Sequence, residues 1–153
     1  IFDVPNGRMA IARAGQGVTL DGATVVGVPS GGSRSGFVGY RIRTAFERQF
    51  PVARRQSLGP VSTLRCAGIE YLEILAGRAG FSIYRRTKPW DHAAGALMLT
   101  EAGGGAVRFD GVDYGPAQSI DAGIIGAPSR QVLAEALGAF DMLEFPLSQP
   151  GDG

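Results

Sequence analysis

A single cysteine, Cys66, is the entire thiol complement of the 153 residues. An internal disulfide framework and a cysteine-rich zinc site are thereby excluded, and a reducing, cytoplasmic setting is the expectation. Charge of one sign is equally scarce: 15 basic and 14 acidic side chains leave a formal net charge of +1. A nucleic-acid binder should carry a clear basic excess, so no nucleic-acid partner is expected. No apolar run approaches the length of a membrane span, which argues against a membrane role. Histidine and tryptophan each occur once. The chain opens on "IFDVPNGRMAIARAGQG" with no initiator Met, signal peptide or polar leader, as if it starts part-way through a sheet.

What is present points to a globular fold. Hydrophobic residues make up 44% of the chain and charged residues 19%, enough to bury a core and too apolar for disorder. The 24 glycines fall mostly at turns between apolar segments, so they punctuate a tightly connected chain with no internal repeats. "RMAIAR" (8–13) and "TVVGV" (24–28) read as strands, with "GQG" and "LDG" marking a hairpin or crossing between them. "PSGGSRSG" (29–36) is a candidate hinge loop. "FVGYRIRTAFERQF" (37–50) has near-helical apolar spacing and ends at Pro51, and a short strand is expected at 52–57. Residues 61–80 give the clearest helix, with Leu64, Ala67, Tyr71, Leu72 and Leu75 on its apolar face and Gly77 and Gly80 at its end. A strand at 81–86, a helix at 90–103, strands at 106–109 and 122–128, and a helix at 129–140 capped by Ser129 follow. This order describes a layered α/β unit.

The stretch "KPWDHAAGALMLTEAGGGAVRFDG" (88–111) carries the chemical signal. Lys88–Pro89 sets the entry of a helix, Trp90 can anchor it, and Asp91 stands where an N-cap belongs. Ala93, Ala94, Gly95 and Ala96 strip the next turn of bulk, which allows a second backbone or a ligand to approach. As a bare capping residue Asp91 needs no further role. Held rigidly beside a phosphate, it is also a suitable oxygen ligand for Mg²⁺. The triple glycine at 103–105 follows a helix instead of a strand and lacks the spacing of a dinucleotide fingerprint.

The run Trp-Asp-x-Ala-Ala-Gly followed by Glu-Ala-Gly-Gly resembles the C-terminal signature of the inositol monophosphatase family of metal-dependent phosphatases. "RCAGIEYLEILAGRAGFSIYRR" resembles the helix–strand unit before that signature, and "NGRMAIARAGQGVTLDG" the family's central strand and glycine-rich crossing. The resemblance implies an α/β fold: a layered α/β/α C-terminal lobe of the inositol monophosphatase/fructose bisphosphatase-like kind at 29–153, with the last strands of an N-terminal α+β domain at 1–28. It implies a Mg²⁺-dependent phosphomonoesterase acting on a small sugar, polyol or nucleotide phosphate through metal-activated water. The Glu-Glu pair and the Asp-Pro-x-Asp-Gly-Thr segment of the family's N-terminal half are absent from the sequence. The chain thus resembles a C-terminal half whose partner is the missing N-terminal half of the same protein, and alone it is expected to be inactive, with no catalytic group of its own. Two rival readings stand beside this one. One is a non-catalytic binding or assembly module with the same fold. The other is a related bisphosphate nucleotidase or fructose bisphosphatase. A homodimer is implied by resemblance only.

By the same resemblance, Asp91 is a metal ligand, and Arg65, Cys66, Ala67 and Tyr84 lie where the substrate is bound. Arg65 replaces a small residue and could either meet a phosphate or point to solvent. Cys66 replaces a hydroxyl residue and is expected to be a buried, unreactive thiol. Tyr84 replaces a glutamate that binds a substrate hydroxyl in several inositol phosphatases, so inositol itself is in question. His92 points about 100° away from Asp91 around the helix and is expected to be structural. Glu70 is expected to be structural as well, and Glu101 to bond local backbone or an arginine. The Arg pairs at 54–55 and 85–86 read as solvated edges, and Asp110, Asp113 and Asp121 as turn residues.

Overall fold

The computed structural model describes residues 1–27, 35–53 and 59–140. The first sheet is antiparallel and consecutive: β1 (Phe2–Asp3), β2 (Arg8–Ala12), β3 (Val18–Leu20) and β4 (Ala23–Val25). A 3-10 turn at Val4–Asn6 joins β1 to β2. Asp21 and Gly22 close the β3–β4 hairpin with φ of 51° and 82°, both in the left-handed region that such tight turns demand.

The second sheet has the order β6-β5-β7-β9-β8. Its strands are β5 (Gly36–Val38), β6 (Val61–Ser62), β7 (Phe81–Tyr84), β8 (Gly105–Val107) and β9 (Ile124–Ala127). β5 is parallel to both β6 and β7, while β9 runs antiparallel to β7 and to β8. The helices packed on it are α1 (Tyr40–Gln49), α2 (Ala67–Leu75), α3 (Pro89–Glu101) and α4 (Arg130–Phe140).

Alternation along the strands sorts the core into two layers. Val38, Phe81, Ile83, Ile125 and Ala127 face α1 and α4, where Phe46 stacks on Phe140 at 5.0 Å and meets Phe50 edge-on. Phe37 faces the opposite way, toward Tyr71, Leu72 and Leu75 of α2 and Met98 and Leu99 of α3. Ala10 and Val18 of the first sheet close that same cluster from outside. The layers therefore run α1/α4, second sheet, α2/α3, first sheet. Each large apolar side chain buried here stabilises the fold by about 1.5–3 kcal/mol. The outer face of the first sheet stays open: Phe2, its cross-strand partner Met9, and Ile11 are exposed.

Polar clasps join the layers. Asp3 is buried and accepts hydrogen bonds from Asn6 and Arg8. Arg8 also reaches Glu73 of α2 at 2.7 Å, and Arg78 pairs with the same carboxylate. The two guanidiniums hold Glu73 down at about 2, with the Arg78 hydrogen bond the largest cause.

Several expected boundaries move, each for a local reason. The helix expected from 37 starts at Tyr40, because Phe37 and Val38 pair with β7. The helix expected over 61–80 splits. Val61 and Ser62 form β6, Arg65 turns left-handed at φ 58°, and only Ala67–Leu75 is helical. A helix cannot run through a left-handed residue, so Leu64 is exposed and lies off the apolar face. Val52 and Ala53 are helical instead of extended, and the rest of that expected strand lies outside the described residues, as does most of the expected hinge at 29–36. Ser129 does cap α4, accepting from the Val132 amide at 3.2 Å. No helix among the described residues is long and apolar enough to cross a membrane.

Candidate functional site: a cleft at the carboxyl ends of the parallel strands

The chain leaves β5 through α1 to β6 on one side, then returns through α2 to β7 on the other. Such a reversal separates the connecting loops and opens a crevice beyond the carboxyl ends of the strands, where α/β proteins bind ligands. A cleft of about 880 Å³ lies there. The segments that leave β5 and β6, and the one between β7 and α3, supply its walls: Gly39–Tyr40, Thr63–Gly68 and Tyr84–Asp91 all contribute residues.

Three helices begin at this cleft. Their N-cap residues are Gly39, Cys66 and Lys88, and none of the three makes a side-chain capping hydrogen bond. First-turn amides of a helix lack intrahelical acceptors and carry the positive end of the dipole. Three such ends around one opening favour an anion.

The floor is a closed polar cluster. Glu70 is 1% exposed. It accepts hydrogen bonds from the Thr63 hydroxyl at 2.8 Å, the Leu64 amide at 2.6 Å and the Tyr84 hydroxyl. Burial, then the neighbouring Tyr71 and Glu70, push the Tyr84 phenol well above its ordinary range, so it acts as a neutral donor. The Tyr84 ring lies 4.6 Å from that of His92. His92 Nδ1 is 3.2 Å from the Tyr71 hydroxyl. Burial lowers the imidazole pKa against the opposing pull of Asp91, leaving a neutral ring that locks α3 to α2.

That lock explains the small residues after Asp91. A Cβ on Gly95 would overlap the ring of Tyr71, which is fully buried. The bulk missing from α3 is occupied by the tyrosine of α2, so Gly95 serves packing while Ala94 lines the cleft.

The sequence-derived residues fall out as follows. Arg65, Cys66, Ala67, Tyr84 and Asp91 all line the cleft. Asp91 is not the N-cap: Pro89, pre-set for the first helical position, starts α3 early and places Asp91 in its first turn. Its carboxylate is exposed and makes no hydrogen bond or ion pair among the described residues. Cys66 is exposed instead of buried, because it is the extended residue between the Arg65 turn and α2. Trp90, expected to anchor α3, is instead 77% exposed at the rim. Tyr84 turns its hydroxyl inward to Glu70. Arg85 and Arg86 are half-buried and line the cleft instead of forming a solvated edge, with Arg86 3.5 Å from Asp121; Arg54 and Arg55 lie outside the described residues. Glu101 is structural, but its partners are remote: the amides of Gly15 and Gly17, each at 2.8 Å. Thr63 and Tyr71 were not legible as site residues, since each is defined by a partner in a different element.

Arg65 is unusual in its backbone. A non-glycine residue at φ 58° costs about 1 kcal/mol against glycine. Its amide donates to Thr63 Oγ1 at 3.0 Å, which fixes the turn.

Metal chemistry is limited by the donor set. Mg²⁺ takes six oxygens and uses one or two carboxylates with phosphate and water. No group of three His, Cys, Asp or Glu side chains among the described residues could hold an ion. Glu70 is buried and engaged by three donors, which leaves Asp91 as the free carboxylate of the cleft; the described residues alone do not make a metal site.

Fold and cleft together define an α/β protein with an open crevice at a topological switch point. Comparison with known proteins makes the class specific: the sequence profile of the Inositol monophosphatase family matches residues 1–141, and the chain belongs to that family. No curated protein matches it. Among solved structures it resembles the inositol monophosphatase of Anabaena (Nostoc) sp. PCC 7120, with a TM-score of 0.73 and 19% identity over 94% of this chain and 58% of that one. An IMPase of Thermotoga maritima gives a TM-score of 0.69 at 19% identity, over 94% of this chain and 56% of that one. An IMPase/NADP phosphatase solved with NADP and Ca²⁺ gives 0.68 at 18% identity, over 92% and 54%. The chain thus spans a little over half the length of these structures.

Proposed function

We propose that the cleft is the phosphate-binding side of a phosphomonoesterase site of the inositol monophosphatase type. The observation that carries this reading is the convergence of three uncapped helix N-termini with Asp91 on one switch-point crevice. The helix amides hold the phosphate, and the hydrogen bonds among Thr63, Glu70 and Tyr84 keep the floor rigid. Asp91 supplies one carboxylate toward Mg²⁺, and the remaining ligands come from polypeptide outside the described residues. That polypeptide also covers the open face of Phe2, Met9 and Ile11. On this reading the 153-residue chain binds phosphate without turning it over.

The test is titration of inorganic phosphate into the chain, followed by phosphorus NMR, with and without Mg²⁺. Saturable binding under either condition supports the phosphate site, and a Mg²⁺ enhancement that Asp91→Asn abolishes supports Asp91 as a ligand. Absence of saturable phosphate binding under both conditions ends the reading.

A further inference from the structure

Arg65 occupies a position whose backbone suits glycine, yet carries the side chain least like it. It lines the cleft and is exposed, so it stands at the mouth, while Glu70 and Tyr84 form the floor. No carboxylate among the described residues pairs with its guanidinium, nor with the ammonium of Lys88 on the α3 side of the same cleft. The acidic side chains of the cleft are Glu70, committed to Thr63, Leu64 and Tyr84, and Asp91. A single phosphate seated among the helix amides leaves the cation at the mouth with no ion pair among the described residues.

We propose that Arg65 is a specificity-determining residue that binds a second anionic group of the substrate. The preferred ligands then carry a phosphomonoester and a second phosphate or carboxylate a short distance away. The planar guanidinium can take either group with two parallel hydrogen bonds. The inference rests on the phosphate-site reading above and adds the second anion to it.

The experiment compares three ligands on a two-carbon frame: ethyl phosphate, ethylene glycol bisphosphate and phosphoglycolate. Each is titrated calorimetrically into the full chain and into Arg65→Gly and Arg65→Lys. Glycine relieves the left-handed backbone, so Arg65→Gly should melt no lower than wild type and any loss of binding is not a loss of fold. Wild type should bind at least one of the doubly anionic ligands roughly tenfold more tightly than ethyl phosphate, the effect of one charge-assisted contact. Arg65→Gly should erase that preference while leaving ethyl phosphate within about twofold, and Arg65→Lys should restore part of it. The ligand whose preference disappears identifies the second anion as phosphate or carboxylate. Ethyl phosphate binding with no preference in wild type, or a preference that survives in Arg65→Gly, overturns the role of Arg65 and leaves the phosphate site standing. Failure of wild type to bind ethyl phosphate at all removes both.

Discussion

The two ends of α3 treat their carboxylates in opposite ways. At the C-terminal end, Glu101 reaches across to the first sheet and takes the amides of Gly15 and Gly17. Those hydrogen bonds, the Gly15 one first, hold its carboxyl below the ordinary range. At the N-terminal end, Asp91 stands in the first turn of α3, lines a cleft and has no partner among the described residues. One carboxylate is consumed by folding and the other stands unpaired among the described residues at the wall of the cleft. Between them, His92, Gly95 and Tyr71 clamp the helix to α2. A free charge is informative when the groups around it are fully satisfied, as Glu70 is one layer below.

The clamp common to both ends should give the largest effect when broken. Tyr71→Ala removes a fully buried ring that fills the space above Gly95, and a loss of about 3–5 kcal/mol in chemical denaturation is expected. A smaller loss would mean that α3 is held mainly from its ends.

The C-terminal end comes next. Glu101→Gln weakens two charge-assisted hydrogen bonds to the glycine loop, so amide exchange at Gly15 and Gly17 should quicken and Tm should fall by a few degrees. Unchanged exchange would show that the loop needs no clasp.

Acid sharpens the same contrast through Glu73, the carboxylate that joins α2 to Arg8 and Arg78. Its folded pKa, about 2, lies below the ordinary 4.5, so the unfolded chain binds more protons between these values and stability rises with pH. The contribution is complete above about pH 4.5 and disappears as pH falls toward about 2. After solvent screening it is worth about 1 kcal/mol. The stability gap between wild type and Glu73→Gln should therefore be flat near neutrality and close on acidification. A gap that widens in acid would contradict the pairing.

Asp91→Asn should have the smallest effect on stability, under about 0.5 kcal/mol, measured beside Glu101→Gln. If Asp91 proves the more costly to replace, the contrast between the two ends of α3 fails.

The signature around Asp91 was legible in the sequence because it is local: Trp90, Asp91 and the small residues lie within two turns. The layered α/β order was legible for the same reason, since period-two runs such as Phe81–Tyr84 declare themselves. The floor of the cleft was not. Glu70 finds Tyr84 across fourteen residues and Tyr71 finds His92 across twenty-one, and no spacing rule joins a helix to a strand or to another helix. The break before α2 was hidden for a different reason. Arg65 is an ordinary helix former, and only the left-handed backbone imposed by its surroundings stops the helix. Cys66 was misjudged with it, because a thiol expected within a helix lies instead in the exposed, extended step just before α2.

That left-handed turn has a consequence in the language of the genetic code. Every arginine codon differs from a glycine codon by a single base. Position 65 is thus one mutation from a residue that relaxes its backbone and removes its charge. On the role proposed for Arg65, ligand selectivity in this chain would be adjustable by a minimal genetic step that the fold itself does not resist.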